Sequence, residues 1–158
     1  MERKAQLAGM RAVYLTAAEL SNIGFIVCTT SRNAQGADLL ISDQRCSRAF
    51  SVQVKSNTYQ NWEYFLIGEK GKDIISETHI YVLVNIKKPS KKNPIEIIEY
   101  YVVPSKVVAE KIVYEKSKTG KAEWWYVLRK DILPYRDRWD IFGENLSQQD
   151  GYKNKTST

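Results

Sequence analysis

The chain is poor in the residues that most often announce a chemistry. It has two cysteines, Cys28 and Cys46, and one histidine, His79. Two thiols are too few for a disulfide scaffold or a structural zinc site. His79 opens an apolar stretch with no cysteine or acidic cluster beside it. That argues against a zinc centre and against a Ser-His-Asp triad, and the ring reads as structural. Cys28 reads as a core residue and Cys46 as a turn residue with no sign of an activated thiol. No apolar run approaches the roughly 20 residues that a bilayer-spanning helix requires. Met1-Glu2-Arg3-Lys4 leads into an amphipathic stretch rather than an apolar signal core, so no secretion signal is expected. Together these absences point to a cytoplasmic protein with no membrane partner. A phosphate-cradling loop is missing as well, because Gly68-Glu69-Lys70-Gly71-Lys72 has neither the P-loop spacing nor its Ser/Thr.

What remains is an ordinary globular composition. The 158 residues are 43% hydrophobic and 27% charged, which suits one domain with a real core. Lys and Arg number 24 against 18 Asp and Glu, a net charge of +6. So mild a basic balance permits a nucleic-acid partner without demanding one. Residues 1–146 are expected to form the domain, and 147–158, polar and without periodicity, a frayed tail.

Hydrophobic spacing predicts a first helix over 5–22, with Leu7, Met10, Val13, Tyr14, Ala17 and Leu20 on one apolar face and Gly24 as terminator. Strands are expected at 25–28, 37–42, 49–56, 62–67, 79–86, 95–103 and 123–128, with a turn at 43–47. The 79–86 run is apolar and β-branched, as a central strand should be. A short helix is expected over 70–77 and another over 105–116, with Ser105 as N-cap. Residues 131–142 read as a short helix and a closing turn. A helix followed by a strand meander suggests a sheet with helices packed on it.

The chemistry-bearing stretch is Gly36-Ala37-Asp38-Leu39-Leu40 followed by Val52-Gln53-Val54-Lys55-Ser56. Gln53 and Lys55 stand two apart on one strand and therefore share a face. A tight turn between the two strands brings Asp38 beside them, so an acid, an amide oxygen and an ammonium converge at one sheet edge. Each has a bland alternative: Asp38 as a turn residue, Gln53 and Lys55 as a strand's solvent face.

This arrangement resembles the PD-(D/E)XK nuclease superfamily in its QxK variant, which also occurs in Mrr-type restriction endonucleases. It is also similar to a group of small bacterial endonuclease-like proteins. The shared pieces are Ala17-Ala18-Glu19-Leu20, Gly24-Phe25, Asp38, Gln53 to Lys55, Val103 to Ala109 and Asp137 to Asp140, spanning most of residues 5 to 143. The resemblance implies an α/β fold, a restriction-endonuclease-like mixed central sheet flanked by helices. It also implies a metal-dependent deoxyribonuclease acting in repair, restriction or a mobile element. Asp38, the Gln53 side chain and the Val54 main-chain carbonyl would hold Mg²⁺ or Mn²⁺, and Lys55 would orient the attacking water and offset phosphoryl charge. One departure stands out. Relatives carry a Glu on the first helix about eleven residues before the Gly-Phe pair, and here that position is Val13. Glu19 lies on the same helix, six residues on and so about 240° around the axis, and is a candidate catalytic residue in its place, with a solvated helix residue as the bland alternative.

DNA is the partner these readings imply. Ser56 and the loop lysines Lys87, Lys88, Lys91 and Lys92 are candidate phosphate contacts, as are Arg129, Lys130, Arg136 and Arg138. Trp62, Trp124, Trp125 and Tyr126 would stack on bases or pack in a core or interface, and Trp139 would anchor the C-terminal segment. Two other readings stay open. One is a nucleic-acid-binding domain with a degenerate site, motivated by Val13 and the neutral Gln53. The other is an interaction protein that pairs as a homodimer through its aromatic strands.

Overall fold

The computed structural model describes residues 2–31 and 36–143. The boundary expected at residue 146 and the tail over 147–158 lie outside them. The elements run α1 (Glu2–Asn22), β1 (Ile26–Thr29), β2 (Leu39–Ser42), β3 (Ala49–Asn57), β4 (Tyr64–Leu66), a 3-10 turn (Glu69–Lys72), β5 (His79–Lys87), β6 (Ile97–Pro104), α2 (Ser105–Lys111), β7 (Val113–Lys116), β8 (Glu123–Leu128) and α3 (Arg129–Ile132). Two further 3-10 turns, Leu133–Tyr135 and Trp139–Phe142, follow α3. No helix is long and apolar enough to cross a membrane among the described residues.

The main sheet has five strands in the order β1-β2-β3-β5-β6. Its pairings are antiparallel except β3 with β5, which run parallel in register from Ser51↔His79 to Asn57↔Asn85. A parallel pair needs a crossover. Here residues 58–78 make it, and they carry β4 out into a second, three-stranded sheet of order β4-β8-β7. The β-branched run of β5 is buried from His79 to Ile86, as an internal strand covered on both faces should be.

Alternation along the strands divides the core in two. On one face α1 covers Leu39, Val52, Val54, Val82 and Val84. On the other, the second sheet and α2 cover Tyr81, Leu83, Tyr101 and Val103 with Trp62, Phe65 and Val108. Each fully buried aliphatic side chain contributes about 1.5–3 kcal/mol. Trp139 packs on Tyr100 and Phe142, with ring centroids 5.4 and 6.5 Å away, and so ties the C-terminal turn to the α1-side core as expected.

Several expectations are corrected. The stripe by which α1 meets the sheet is Ala12, Thr16 and Leu20, all fully buried, whereas Leu7, Met10 and Tyr14 are 66%, 38% and 59% exposed. Small residues at i and i+4 let the helix approach β3 closely, and that ridge, not the most hydrophobic one, turns inward. Cys28 is exposed, because β1 is the edge strand. The helix expected over 105–116 stops at Lys111, and Val113–Lys116 pairs with β8 instead. Val113 and Tyr114 follow Ile112 there, a β-branched and aromatic run that favours extended backbone. The helix expected over 70–77 is only the 3-10 turn Glu69–Lys72. Gly71 is buried within it, and a Cβ there would clash with Ile67 Cγ2.

The basic residues are partly committed to internal work. Glu99 on β6 is 5% exposed and accepts from Asn85 Nδ2 at 3.0 Å, Lys87 Nζ at 2.9 Å and Trp62 Nε1 at 3.3 Å. Arg136 lies 3.6 Å away, and Arg129 stacks over Trp62. Burial pushes the Glu99 carboxyl up, but the hydrogen bonds from Asn85, Lys87 and Trp62 outweigh it, and the net direction is down. A folded-state value below the unfolded one stabilises above the ordinary carboxyl range, and that contribution is lost as pH falls through the folded value. Glu99→Gln is therefore expected to lose about 1–3 kcal/mol of stability at pH 7. Urea denaturation from pH 7 to 3 should show the gap between wild type and variant closing at the acid end.

Candidate active site at the end of strand β2

The β2–β3 hairpin is built on Asp43. Its carboxylate accepts the Ser47 N–H at 2.7 Å, the Arg48 N–H at 3.0 Å and the Ser47 hydroxyl at 2.5 Å. The Ser47 hydroxyl and then the Arg48 amide hold that carboxyl below its ordinary range. The turn fixes the register from Ser42↔Ala49 to Leu39↔Val52. At Leu39 the shorter strand ends while β3 continues to Asn57.

Asp38 sits at that end. Its N–H donates to Val52 O at 2.8 Å, and its carbonyl accepts the Thr30 N–H at 3.0 Å, so the backbone is clamped between β1 and β3. Its side chain replaces the next rung of the ladder. Oδ2 accepts the Val54 N–H at 2.7 Å and Gln53 Nε2 at 2.5 Å. The Ser51 N–H donates to Thr78 O on the β5 side, so even-numbered residues of β3 point their backbone groups toward β2. The Val54 carbonyl therefore points with its N–H off the edge of β3, beside Asp38. Lys55 shares the face of Gln53.

Two clefts border this junction. One, of about 270 Å³, is lined by Val13, Tyr14, Thr30 and Asp38. The other, of about 520 Å³, is lined by Gln53, Lys55, Tyr81, Gly36 and the turn Gly68–Gly71. Asp38 is bonded to Gln53 and Val54, Lys55 lines the larger cleft with Gln53, and Val13 lines the same cleft as Asp38. Glu19 is placed elsewhere. Burial and then the charge of Glu19 push the Tyr100 phenol on β6 up to about 12, and β6 is the sheet edge farthest from β1 and β2 in strand order. Ser56 alternates to the α1 side, away from Lys55.

The loop lysines are not equivalent. Lys87 is bound to Glu99 and 19% exposed at its side chain. Lys88, Lys91 and Lys92 are exposed. Lys88 borders a groove with Thr58, just past the end of β3, and its carbonyl accepts Gln60 Nε2. His79 is buried, with Nδ1 2.7 Å from the Ser51 hydroxyl and its ring edge-on to Tyr81, and burial pushes its pKa down. Trp62 belongs to the core, while Trp124 is 39% exposed. Sequence reasoning did not anticipate that the crossover turn brings Glu69 and Lys70 to the larger cleft. No motif or periodicity marks them.

The donor set suits a hard divalent cation. Asp38 Oδ1, which accepts no hydrogen bond from the described residues, the Val54 carbonyl and the Gln53 amide oxygen are all oxygen donors, the type Mg²⁺ takes. Only one of them is anionic. No group of three or more His, Cys, Asp or Glu is poised for a metal among the described residues.

No family model matches the chain, and no curated protein does. Among solved structures, the chain is similar to a bacterial homing endonuclease, I-Ssp6803I. The TM-score is 0.52 at 16% identity, over 87% of this chain and 90% of that one. The fold is endonuclease-like.

Asp38→Ala leaves the Val54 N–H and Gln53 Nε2 without their acceptor and is expected to destabilise by about 1–3 kcal/mol. Asp38→Asn keeps an acceptor oxygen and should lose less. Chemical denaturation of both variants at pH 7 reads the difference.

Proposed function

We propose that the chain is a metal-dependent deoxyribonuclease that hydrolyses phosphodiester bonds at the Asp38 junction. The observation that carries this reading is the convergence of the Asp38 carboxylate, the Gln53 amide and the Val54 N–H at an open strand end, with Lys55 on the same face of the bordering cleft. The endonuclease-like fold supports it. Asp38 Oδ1, the Val54 carbonyl and the Gln53 amide oxygen would hold Mg²⁺ or Mn²⁺. Such an ion, when bound, lowers the pKa of a coordinated water and neutralises charge on the phosphoryl oxygens. Lys55 orients the attacking water and stabilises the charge that grows on the phosphate. The Val54 N–H and Gln53 Nε2 hold the Asp38 carboxylate in place through Oδ2. Lys88, Lys91 and Lys92 stand past the end of β3, where they can bind the DNA backbone and position it on the junction.

A specific observation favours a second reading, a DNA-binding domain whose site no longer cleaves. Val13 lines the Asp38 cleft, and one carboxylate is a sparse donor set for a cation. The two readings separate in one assay. Duplex, single-stranded and branched DNA are incubated with Mg²⁺ or Mn²⁺ and wild type, Asp38→Asn or Lys55→Met. The nuclease predicts cleavage that falls by about 100-fold or more in each variant. Salt-sensitive retardation of DNA without turnover by wild type supports the binding domain, and cleavage unchanged in both variants removes the proposed site.

A further inference from the structure

We propose that the smaller cleft at the Asp38 junction holds an unpaired nucleobase of the DNA strand, stacked on the ring of Tyr14. The inference rests on the reading of that junction as a nuclease site. It adds a substrate class: DNA with an unpaired nucleotide beside the phosphate to be cleaved, in a single strand, at a branch or at a frayed end.

The first argument is exposure. The apolar spacing of α1 predicts an inward Tyr14, yet the helix meets the sheet through Ala12, Thr16 and Leu20, and Tyr14 is 59% exposed. A single exposed aromatic residue is unremarkable in itself. This one lines the same cleft as Asp38.

The second argument is the chemistry of the lining. Val13 and Tyr14 line the cleft from α1, and Thr29, Thr30 and Ser31 line it from β1 and the residues after it. No cation is among the described residues there, so the cleft does not suit a phosphate; Lys55 lines the other cleft. A nucleobase has the opposite needs, two apolar faces and a polar edge. The Tyr14 ring and Val13 meet the first. The Thr29 and Ser31 hydroxyls and the Asp38 carboxylate meet the second. The cleft's volume of about 270 Å³ lies just under the roughly 300–1,000 Å³ of drug-sized ligand pockets, which leaves room for a single base. Within a duplex a base keeps its faces against its neighbours, so only an unstacked base can offer one to Tyr14.

The third argument is rigidity. Ala12 and Thr16 seat α1 on the sheet. The Thr30 N–H and hydroxyl both donate to the Asp38 carbonyl, at 3.0 and 3.3 Å. Tyr14 and Asp38 therefore keep a fixed spacing, and a base stacked on one sets the register of the strand at the other.

The test uses the full chain and two probes, a single-stranded oligonucleotide carrying iododeoxyuridine and its blunt duplex. Binding is followed by fluorescence anisotropy in EDTA, and irradiation then crosslinks the iodinated base to any aromatic ring stacked on it. The variants are Tyr14→Ala, Tyr14→Phe, Asp38→Asn and, as a control on an exposed residue of the same helix that does not line the cleft, Leu7→Ala. Thermal unfolding confirms that each is folded. Wild type is expected to bind the single strand more tightly than the duplex and to crosslink at Tyr14. Tyr14→Ala should weaken single-strand binding by about tenfold and leave duplex binding nearly unchanged, while Tyr14→Phe and Leu7→Ala should bind as wild type does. Single-strand binding by Tyr14→Ala at the wild-type level, with Mg²⁺-dependent cleavage still lost in Asp38→Asn, overturns the inference and leaves the Asp38 site standing. Crosslinks confined to other rings, such as Trp124, overturn it as well, as does no preference of wild type for the single strand. Equal weakening by Tyr14→Phe assigns the effect to the hydroxyl, and equal weakening by Leu7→Ala assigns it to the helix surface; either overturns stacking. Neither binding nor cleavage of DNA by wild type overturns the inference and the nuclease reading together.

Discussion

The site depends on one hydrogen bond, from the Val54 N–H to the Asp38 carboxylate. An interior strand normally gives its amide groups to a neighbouring backbone. Here β2 begins only at Leu39, and the side chain of the residue before it takes the next rung of the ladder. The carboxylate satisfies the amide, and the Val54 carbonyl lies on the same edge of β3 as that amide. Polar groups at such an end stay satisfied only if something other than a strand meets them. A carboxylate on one side and solvent or a cation on the other is a stable answer. The chemistry of the junction is thus a consequence of how a short strand ends beside a long one.

The remainder of the molecule holds that end in place. The Asp43 turn sets the register that brings Leu39 opposite Val52. The parallel pairing of β3 with β5 forces a crossover, and the crossover passes over the face that carries Gln53 and Lys55. The second sheet anchors the crossover through Trp62 and Phe65, and Glu99 satisfies Trp62 from below. The +6 charge of the chain acquires a partial location in this arrangement. Lys87 and Arg136 are drawn to Glu99, while Lys88, Lys91 and Lys92 stay exposed at the end toward which β3 runs.

Much of this was legible in the residues. The Asp38 junction could be anticipated because strand alternation is strict: Gln53 and Lys55 must share a face, and a tight turn must bring Asp38 to them. The His79 to Ile86 strand announced itself by β-branching and burial. Other features follow from tertiary context that a sequence does not carry. The inward stripe of α1 is set by how closely small residues let it approach β3, so Ala12 and Thr16 turn inward in preference to Leu7 and Tyr14. The fate of Ile112 to Tyr114 depends on β8 being there to pair with it. Glu69 reaches the cleft only because the crossover folds back, and nothing local distinguishes it from any acid in a turn. Glu19 read as a site candidate from its helix alone, and the sheet order sets it apart from Asp38.

The most direct test of the Asp38 junction is a crystal structure grown with Mn²⁺ and a short DNA duplex, with data collected at the manganese absorption edge. Anomalous density between Asp38 Oδ1 and the Val54 carbonyl, with a phosphate beside Lys55, is the predicted result. Manganese bound elsewhere on the chain, or DNA bound on a surface that leaves Asp38 and Lys55 untouched, would contradict it.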